Sequence, residues 1–345
     1  MNRVSYAESV IRSAPQGPLV IGHRGAPGYR PEHSRSSYEL ALALGVDAVE
    51  PDVVATADGV LVVRHENEIS GTTDVADHPE FMDRRTTKTI DGVAQTGWFT
   101  EDFTWAELAT LRCRERLPKV RAASASFDGR QPILRLSDVL DLVRAAAEEQ
   151  GRRIGVVLEI KHATYFAGIG LDLAPLVARD LVAAGWTGGD LPLWIEAFER
   201  TVLDELRAAL PAAGVAADYV YLIEAAGKPY DLVARDGRLA ASYADALTPA
   251  GLDALVGAVD GISVDKKVLL AAQGPATVGE AHDRGLVVFT WTCRPENAFL
   301  DRRFRGPGGK PAFGDYEGEW LRIAASGVDG VFVDHPDLGL EVFRS

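Results

Sequence analysis

The chain has 345 residues, 47% of them hydrophobic and 25% charged, enough for one large barrel or two ordinary domains. A net charge of −14 argues against a broad nucleic-acid or anionic-membrane footprint, although a local group of cations and metal can still take phosphate. Two cysteines, Cys113 and Cys293, are too few for a disulfide scaffold and read as buried free thiols.

The segment from Met1 to Pro18 lacks the apolar run of a secretory signal, and no window approaches about 18 consecutive apolar residues. The expectation is a cytoplasmic protein with no stable membrane insertion. A short helix over Tyr6–Arg12 leads to a strand, Leu19–Gly22, that ends in His23-Arg24-Gly25. Pro31 and Ser34 set up a helix over Ser36–Leu44, which Gly45 stops. Val46–Val53 is the second strand, with Glu50 and Asp52 two residues apart. Alternation along a strand puts both carboxylates on one face, about 7 Å apart. Asp58-Gly59 is a hairpin-turn dipeptide, and Val60–Arg64 returns as a strand with His65 just past its end.

From Ile69 to about Gln131 the alternation of strand and helix fades, apart from a helix over Trp105–Cys113, so this stretch reads as an insertion. Beyond it, Ser137 caps a helix over Asp138–Gln150. Strands follow at Ile154–Ile160, Leu193–Phe198, Tyr219–Ile223, Gly261–Val264, Val287–Thr292 and Gly330–Val333, with helical patterns between them. These strands are continuous apolar runs, as in a parallel sheet buried on both faces. With Val60–Arg64 set aside as a hairpin return, eight strands predict an α/β fold, a (β/α)8 TIM barrel. The whole of 1–345 is read as one barrel domain, with the insertion between the second strand's hairpin and the next helix. No G-x-G-x-x-G or Walker motif follows a strand, so nucleotide-binding readings lose their support.

Barrel active sites lie at the carboxyl ends of the strands. There the sequence offers His23-Arg24, Glu50-Pro51-Asp52, His65-Glu66, Glu159-Ile160-Lys161, Glu196, Phe198, Asp265-Lys266, Trp291 and Asp334. Glu50, Asp52 and Glu159 are three carboxylates suited to one divalent cation, Ca²⁺ or Mg²⁺. Arg24 and Lys161 supply charge for phosphate oxygens. His23 and His65 form the pair that acid–base cleavage of a phosphodiester needs. Asp265-Lys266 and Asp334 read as rim salt bridges or caps, and His33, His78, His162, His282 and His335 as structural.

At these residues the chain resembles the glycerophosphodiester phosphodiesterase family. The motifs, in order, are His23-Arg24-Gly25, Pro31-Glu32-His33-Ser34, Glu50-Pro51-Asp52, Val62-Val63-Arg64-His65-Glu66, Glu159-Ile160-Lys161, Trp291-Thr292 and the closing Gly327–Pro336. The resemblance implies a metal-dependent barrel that hydrolyses glycerophosphodiesters to glycerol 3-phosphate and an alcohol. It implies His23 and His65 as the acid–base pair, Glu50, Asp52 and Glu159 on one divalent cation, and Arg24 and Lys161 on the phosphate. Phe198 and Trp291 match positions that line the glycerol pocket. Either water or the glycerol 2-hydroxyl can serve as nucleophile in this scheme. The chain departs from the family pattern at His33-Ser34, where Asn-Thr is usual, and at Glu66, where Asp is usual. Two rivals stand beside this reading. One is a phospholipase D-like or sphingomyelinase-like enzyme with an apolar rim for lipid chains, and the other is a non-catalytic barrel that binds phosphate ligands.

Overall fold

The computed structural model describes residues 17–345, so the helix expected over Tyr6–Arg12 lies outside the described residues. The strands are β1 (Leu19–His23), β2 (Ala48–Glu50), β3 (Asp52–Ala55), β4 (Leu61–Val63), β5 (Thr86–Ile90), β6 (Val93–Gly97) and β7 (Gly155–Ile160). They continue as β8 (Leu193–Ala197), β9 (Asp218–Ile223), β10 (Gly261–Asp265), β11 (Val287–Cys293) and β12 (Gly330–Val333). The sheet runs β2-β1-β12-β11-β10-β9-β8-β7, and β2 pairs back onto β7. Every pairing in this ring is parallel, so it closes as a (β/α)8 barrel.

The strands are apolar throughout because both of their faces are buried. One set of alternate residues, including Ile21, Val157, Trp194, Val220, Phe289 and Phe332, fills the barrel interior. Trp194 meets Phe289 edge-on at 6.1 Å, and Phe289 meets Phe332 at 6.4 Å. The other set, including Val20, Val49, Val156, Ile195 and Val331, packs beneath the helices. The helix Arg35–Leu44 starts where Ser34 Oγ accepts from the Ser37 N–H and stops at Gly45, which has φ 97°.

Local physics shifts several boundaries. Val46–Val53 is two strands, because Pro51 has no N–H to give a ladder. Past that break, β3 pairs in parallel with β7 and antiparallel with β4. The helix expected to start after Ser137 begins at Leu136, and Asp138 closes its first turn by accepting from the Arg135 N–H at 2.9 Å. The helix expected over Trp105–Cys113 ends at Leu108, since Arg112 and Cys113 extend to bridge Pro132 and Thr73.

Between β4 and the helix Leu136–Gln150 the chain leaves the barrel. It carries the hairpin β5–β6, which turns at Asp91-Gly92 with positive φ at both residues. Only Ile90 and Gly97 of its strands are buried, so no alternating pattern marked it in the sequence. The excursion is anchored by Phe81, Trp98, Phe103 and Leu108, which join the outer core. Thr100 Oγ1 donates to the Ala55 carbonyl at 2.9 Å, and Arg64 reaches Cys113 Sγ at 2.8 Å. Cys113 and Cys293 are both buried free thiols. No helix among the described residues is long and apolar enough to cross a membrane.

The interior aromatics fill the barrel between the strands. Phe289→Ala is expected to cost about 3–5 kcal/mol in denaturant unfolding, the range for emptying a buried aromatic site. A cost under about 1 kcal/mol would mean that the interior repacks freely.

Candidate functional site

The carboxyl ends of the strands open into a cavity of about 1000 Å³. His23, Arg24, Glu50, His65, Glu159, Lys161, Phe198 and Trp291 all line it. Asp52 does not; it lies beneath the floor, fully buried.

How the strand ends aim these groups follows from the backbone. Arg24 sits at φ 57°, a left-handed turn that swings its guanidinium off the end of β1. Gly25 follows at φ 91°, and a Cβ there would lie 2.5 Å from Ser37 Oγ. Only glycine lets the loop settle against Ser37, whose hydroxyl donates to the Arg24 carbonyl and accepts from the Ala26 N–H.

Glu50, Glu159 and Glu196 each offer one carboxylate oxygen, and these oxygens lie within 4.8 Å of one another. Glu50 Oε1 and Glu196 Oε2 are buried with no hydrogen-bond partner among the described residues. Burial, with Asp52 and Glu159 nearby, pushes the Glu50 carboxyl well up. Burial with Glu159 and Asp52 does the same to Glu196. Burial, opposed by Lys161 and reinforced by Asp52, pushes Glu159 up to about 8. Orphaned, mutually repelling oxygens of this kind are what a hard divalent cation compensates, so the donor set fits Ca²⁺ or Mg²⁺.

Asp52 has other company. It accepts from His33 Nε2 at 2.8 Å and ion-pairs with Arg24 Nε at 3.3 Å and Lys161 Nζ at 3.4 Å. Against burial, Lys161, His65 and Arg24 hold its carboxyl well below the usual range. The converging trio is thus Glu50, Glu159 and Glu196, with Asp52 beside it. Glu196 is the Cα partner of Glu159 across β7–β8. Its place at a strand end was visible in the sequence, but the convergence of its oxygen on the others was not.

Beside the trio stand the cations and the histidines. Lys161 Nζ donates to Glu159 Oε1 at 2.6 Å and lies 5.6 Å from the Phe198 ring centroid. Phe198 and Trp291 meet edge-on at 5.5 Å and make an apolar wall. His23 Nδ1 lies 2.6 Å from Asp334 Oδ1, and His65 Nδ1 lies 2.5 Å from Glu66 Oε1. A carboxylate at Nδ1 assigns the proton to that nitrogen and leaves each Nε2 with a lone pair. Burial and Arg24 bring His23 down to about 4. Burial, Arg24 and Lys161 bring His65 down to about 3.

The carboxylates behind the histidines are themselves held by arginines. Against burial, Arg294 at 2.7 Å and Arg121 at 2.6 Å hold Asp334 well below the usual carboxylate range. Glu66 is gripped by Arg116. Asp334, read from the sequence as a rim residue, therefore backs His23. Arg116, Arg121 and Arg294 drew no notice, since isolated arginines in irregular stretches carry no motif.

Residues 23–338 match the Glycerophosphoryl diester phosphodiesterase family. The chain is 29% identical over 337 residues to glycerophosphodiester phosphodiesterase GDPD6 of Arabidopsis thaliana, covering 92% of this chain and 83% of that protein. A Treponema pallidum glycerophosphodiester phosphodiesterase is 24% identical, covering 94% and 91%. Among solved structures, a candidate glycerophosphoryl diester phosphodiesterase from Silicibacter pomeroyi superposes with a TM-score of 0.68 at 25% identity, covering 98% and 96%. An Oleispira antarctica phosphodiesterase, solved with the product sn-glycerol-3-phosphate, superposes with a TM-score of 0.63 at 19% identity, covering 98% and 99%.

The raised carboxyls make cation binding proton-linked. Glu159 keeps its proton below about 8, so a cation entering at pH 7 must displace it, and affinity should climb as pH rises toward that value. Calorimetric titration of Ca²⁺ in buffers of different ionisation enthalpy should show net proton release. Glu196→Gln should weaken binding about tenfold or more. Heats that do not depend on the buffer would contradict this view of the trio.

Proposed function

The chain belongs to the glycerophosphoryl diester phosphodiesterase family, and we propose that it hydrolyses glycerophosphodiesters such as glycerophosphocholine or glycerophosphoethanolamine to glycerol 3-phosphate and an alcohol. One observation carries the reading. A single cavity holds a three-carboxylate cluster, two cations for phosphate oxygens and two histidines whose Nε2 atoms have no hydrogen-bond partner among the described residues. The product in the Oleispira structure, on the same fold, points to the same chemistry.

In this reading Arg24 and Lys161 bind the phosphate, and the glycerol lies against Phe198 and Trp291. Glu50, Glu159 and Glu196, with Asp52 at their side, would hold the divalent cation, which when bound would supply a countercharge for the non-bridging oxygens. His23 and His65 are both neutral at pH 7 before substrate arrives, because burial and the nearby cations keep them so. One of them can take the proton of the attacking hydroxyl directly. The other must first take up a proton from solvent at Nε2 to become an acid, and the bound substrate favours that. A bound diester anion offsets the charge of Arg24 and Lys161, while Asp334 or Glu66 continues to stabilise the imidazolium. That histidine then protonates the leaving alkoxide.

The intact-phospholipid alternative draws less support. Of the insertion's aromatics that such a rim would use, Trp98, Phe99 and Phe103 are at most 5% exposed, and Trp105 is half-buried against the core. Glycerol 3-phosphate release from glycerophosphocholine should be abolished by EDTA and restored by added Ca²⁺ or Mg²⁺. His23→Ala should lower it at least about a hundredfold. Activity that persists in EDTA, or in His23→Ala, would overturn the assignment of the site.

A further inference from the structure

The excursion between β4 and the helix Leu136–Gln150 returns two arginines to the barrel mouth, and each ends on the carboxylate behind one histidine. Arg116 binds Glu66 through Nη1 at 2.9 Å and Nη2 at 2.6 Å, and Glu66 in turn meets His65 Nδ1. The other edge of the same guanidinium binds Glu32 through Nε at 2.8 Å and Nη2 at 2.6 Å. Glu32 then accepts from Arg24 Nη1 at 3.2 and 3.1 Å. Arg121 donates from Nη2 to Asp334 Oδ2 at 2.6 Å, while Asp334 Oδ1 meets His23 Nδ1. Its Nε is tied to Glu296 at 2.7 Å, and the side chain is buried. Neither Arg116 nor Arg121 lines the cavity.

We infer that Arg116 and Arg121 are positioning residues for phosphodiester cleavage, Arg116 for His65 together with Arg24, and Arg121 for His23. The inference rests on the phosphodiesterase reading. A carboxylate sets the tautomer and tilt of an imidazole only while the carboxylate itself cannot turn. The forked contact from Arg116 fixes both oxygens of Glu66, which a lysine's point charge cannot do. Asp334 is fixed by division: one oxygen goes to His23 and the other to Arg121 and Arg294. Through these two arginines, neither of which lines the cavity, the excursion reaches both histidines at once.

The test compares Arg116→Gln and Arg121→Gln on two substrates, glycerophosphocholine and the p-nitrophenyl ester of glycerol 3-phosphate. The second loses a group that needs no proton. On glycerophosphocholine both variants should lose about 10–100-fold in kcat. KM should also rise in Arg116→Gln, because Arg24 is loosened with it. On the p-nitrophenyl ester, the variant that disturbs the general acid should regain most of its kcat, and the other should not. Adding Arg121→Gln to Asp334→Asn, or Arg116→Gln to Glu66→Gln, should cost little more, since each pair acts through one histidine. Arg116→Lys, which keeps the charge that ties the excursion down, should fold and still lose most of its kcat. Equal losses on both substrates with multiplicative double variants would mean that the arginines only staple the fold, and would overturn the inference alone. So would variants with wild-type kcat. A wild-type protein inactive on both diesters would overturn the phosphodiesterase reading and this inference with it.

Discussion

Carboxylates gathered in a buried barrel mouth repel one another, and much of this structure answers that repulsion. Glu50, Glu159 and Glu196 converge within 4.8 Å, where burial raises all three, neighbouring carboxylates strengthen the effect, and Lys161 and Arg24 oppose it. Asp52, two residues past Glu50 and opposite Glu159 across β3–β7, escapes this by drawing His33, Arg24 and Lys161 around itself. The result is a pocket in which the unpartnered oxygens of Glu50 and Glu196 stand beside Lys161, which bonds Glu159. Such an arrangement favours a divalent cation and an anionic oxygen ligand together over either alone.

The barrel makes this possible by separating stability from function. Its interior is filled by aromatic and aliphatic side chains such as Trp194, Phe289 and Phe332, and its outer face by the helices. The polar groups that line the cavity stand at the carboxyl ends of the strands, on a short, well-held backbone. The excursion after β4 adds Arg116 and Arg121, which bind the carboxylates behind the histidines alongside Arg294 from the end of β11.

Parts of this were legible in the sequence because they are local. Eight apolar runs divided by helical patterns announce the ring, and a polar residue at the end of a buried run marks the active face. His23, Arg24, Glu50, His65, Glu159 and Lys161 were found in that way, and the structure gathers them in one cavity. What could not be read depends on contacts distant in sequence. Asp334 meets His23 across 311 positions, and Arg121 meets Asp334 across 213. The difference between Asp52 and Glu196 lies in which neighbours their oxygens face, which alternation along a strand does not specify. Pro51 falls between Glu50 and Asp52 and breaks the strand on which their shared face was inferred. The hairpin β5–β6 was invisible for a simpler reason, since its strands bury almost nothing.

The central claim is that the carboxylate trio and the Arg24–Lys161 pair form one composite site for a cation and a phosphate. Its most direct test is a crystal structure of the protein grown with Mn²⁺ and sn-glycerol 3-phosphate, with the ion located by its anomalous signal. The account predicts the ion on oxygens of Glu50, Glu159 and Glu196, and sharing a phosphate oxygen with Arg24 or Lys161. It also places the Nε2 atoms of His23 and His65 facing the phosphate. An ion bound elsewhere, or a phosphate seated away from both cations, would contradict it.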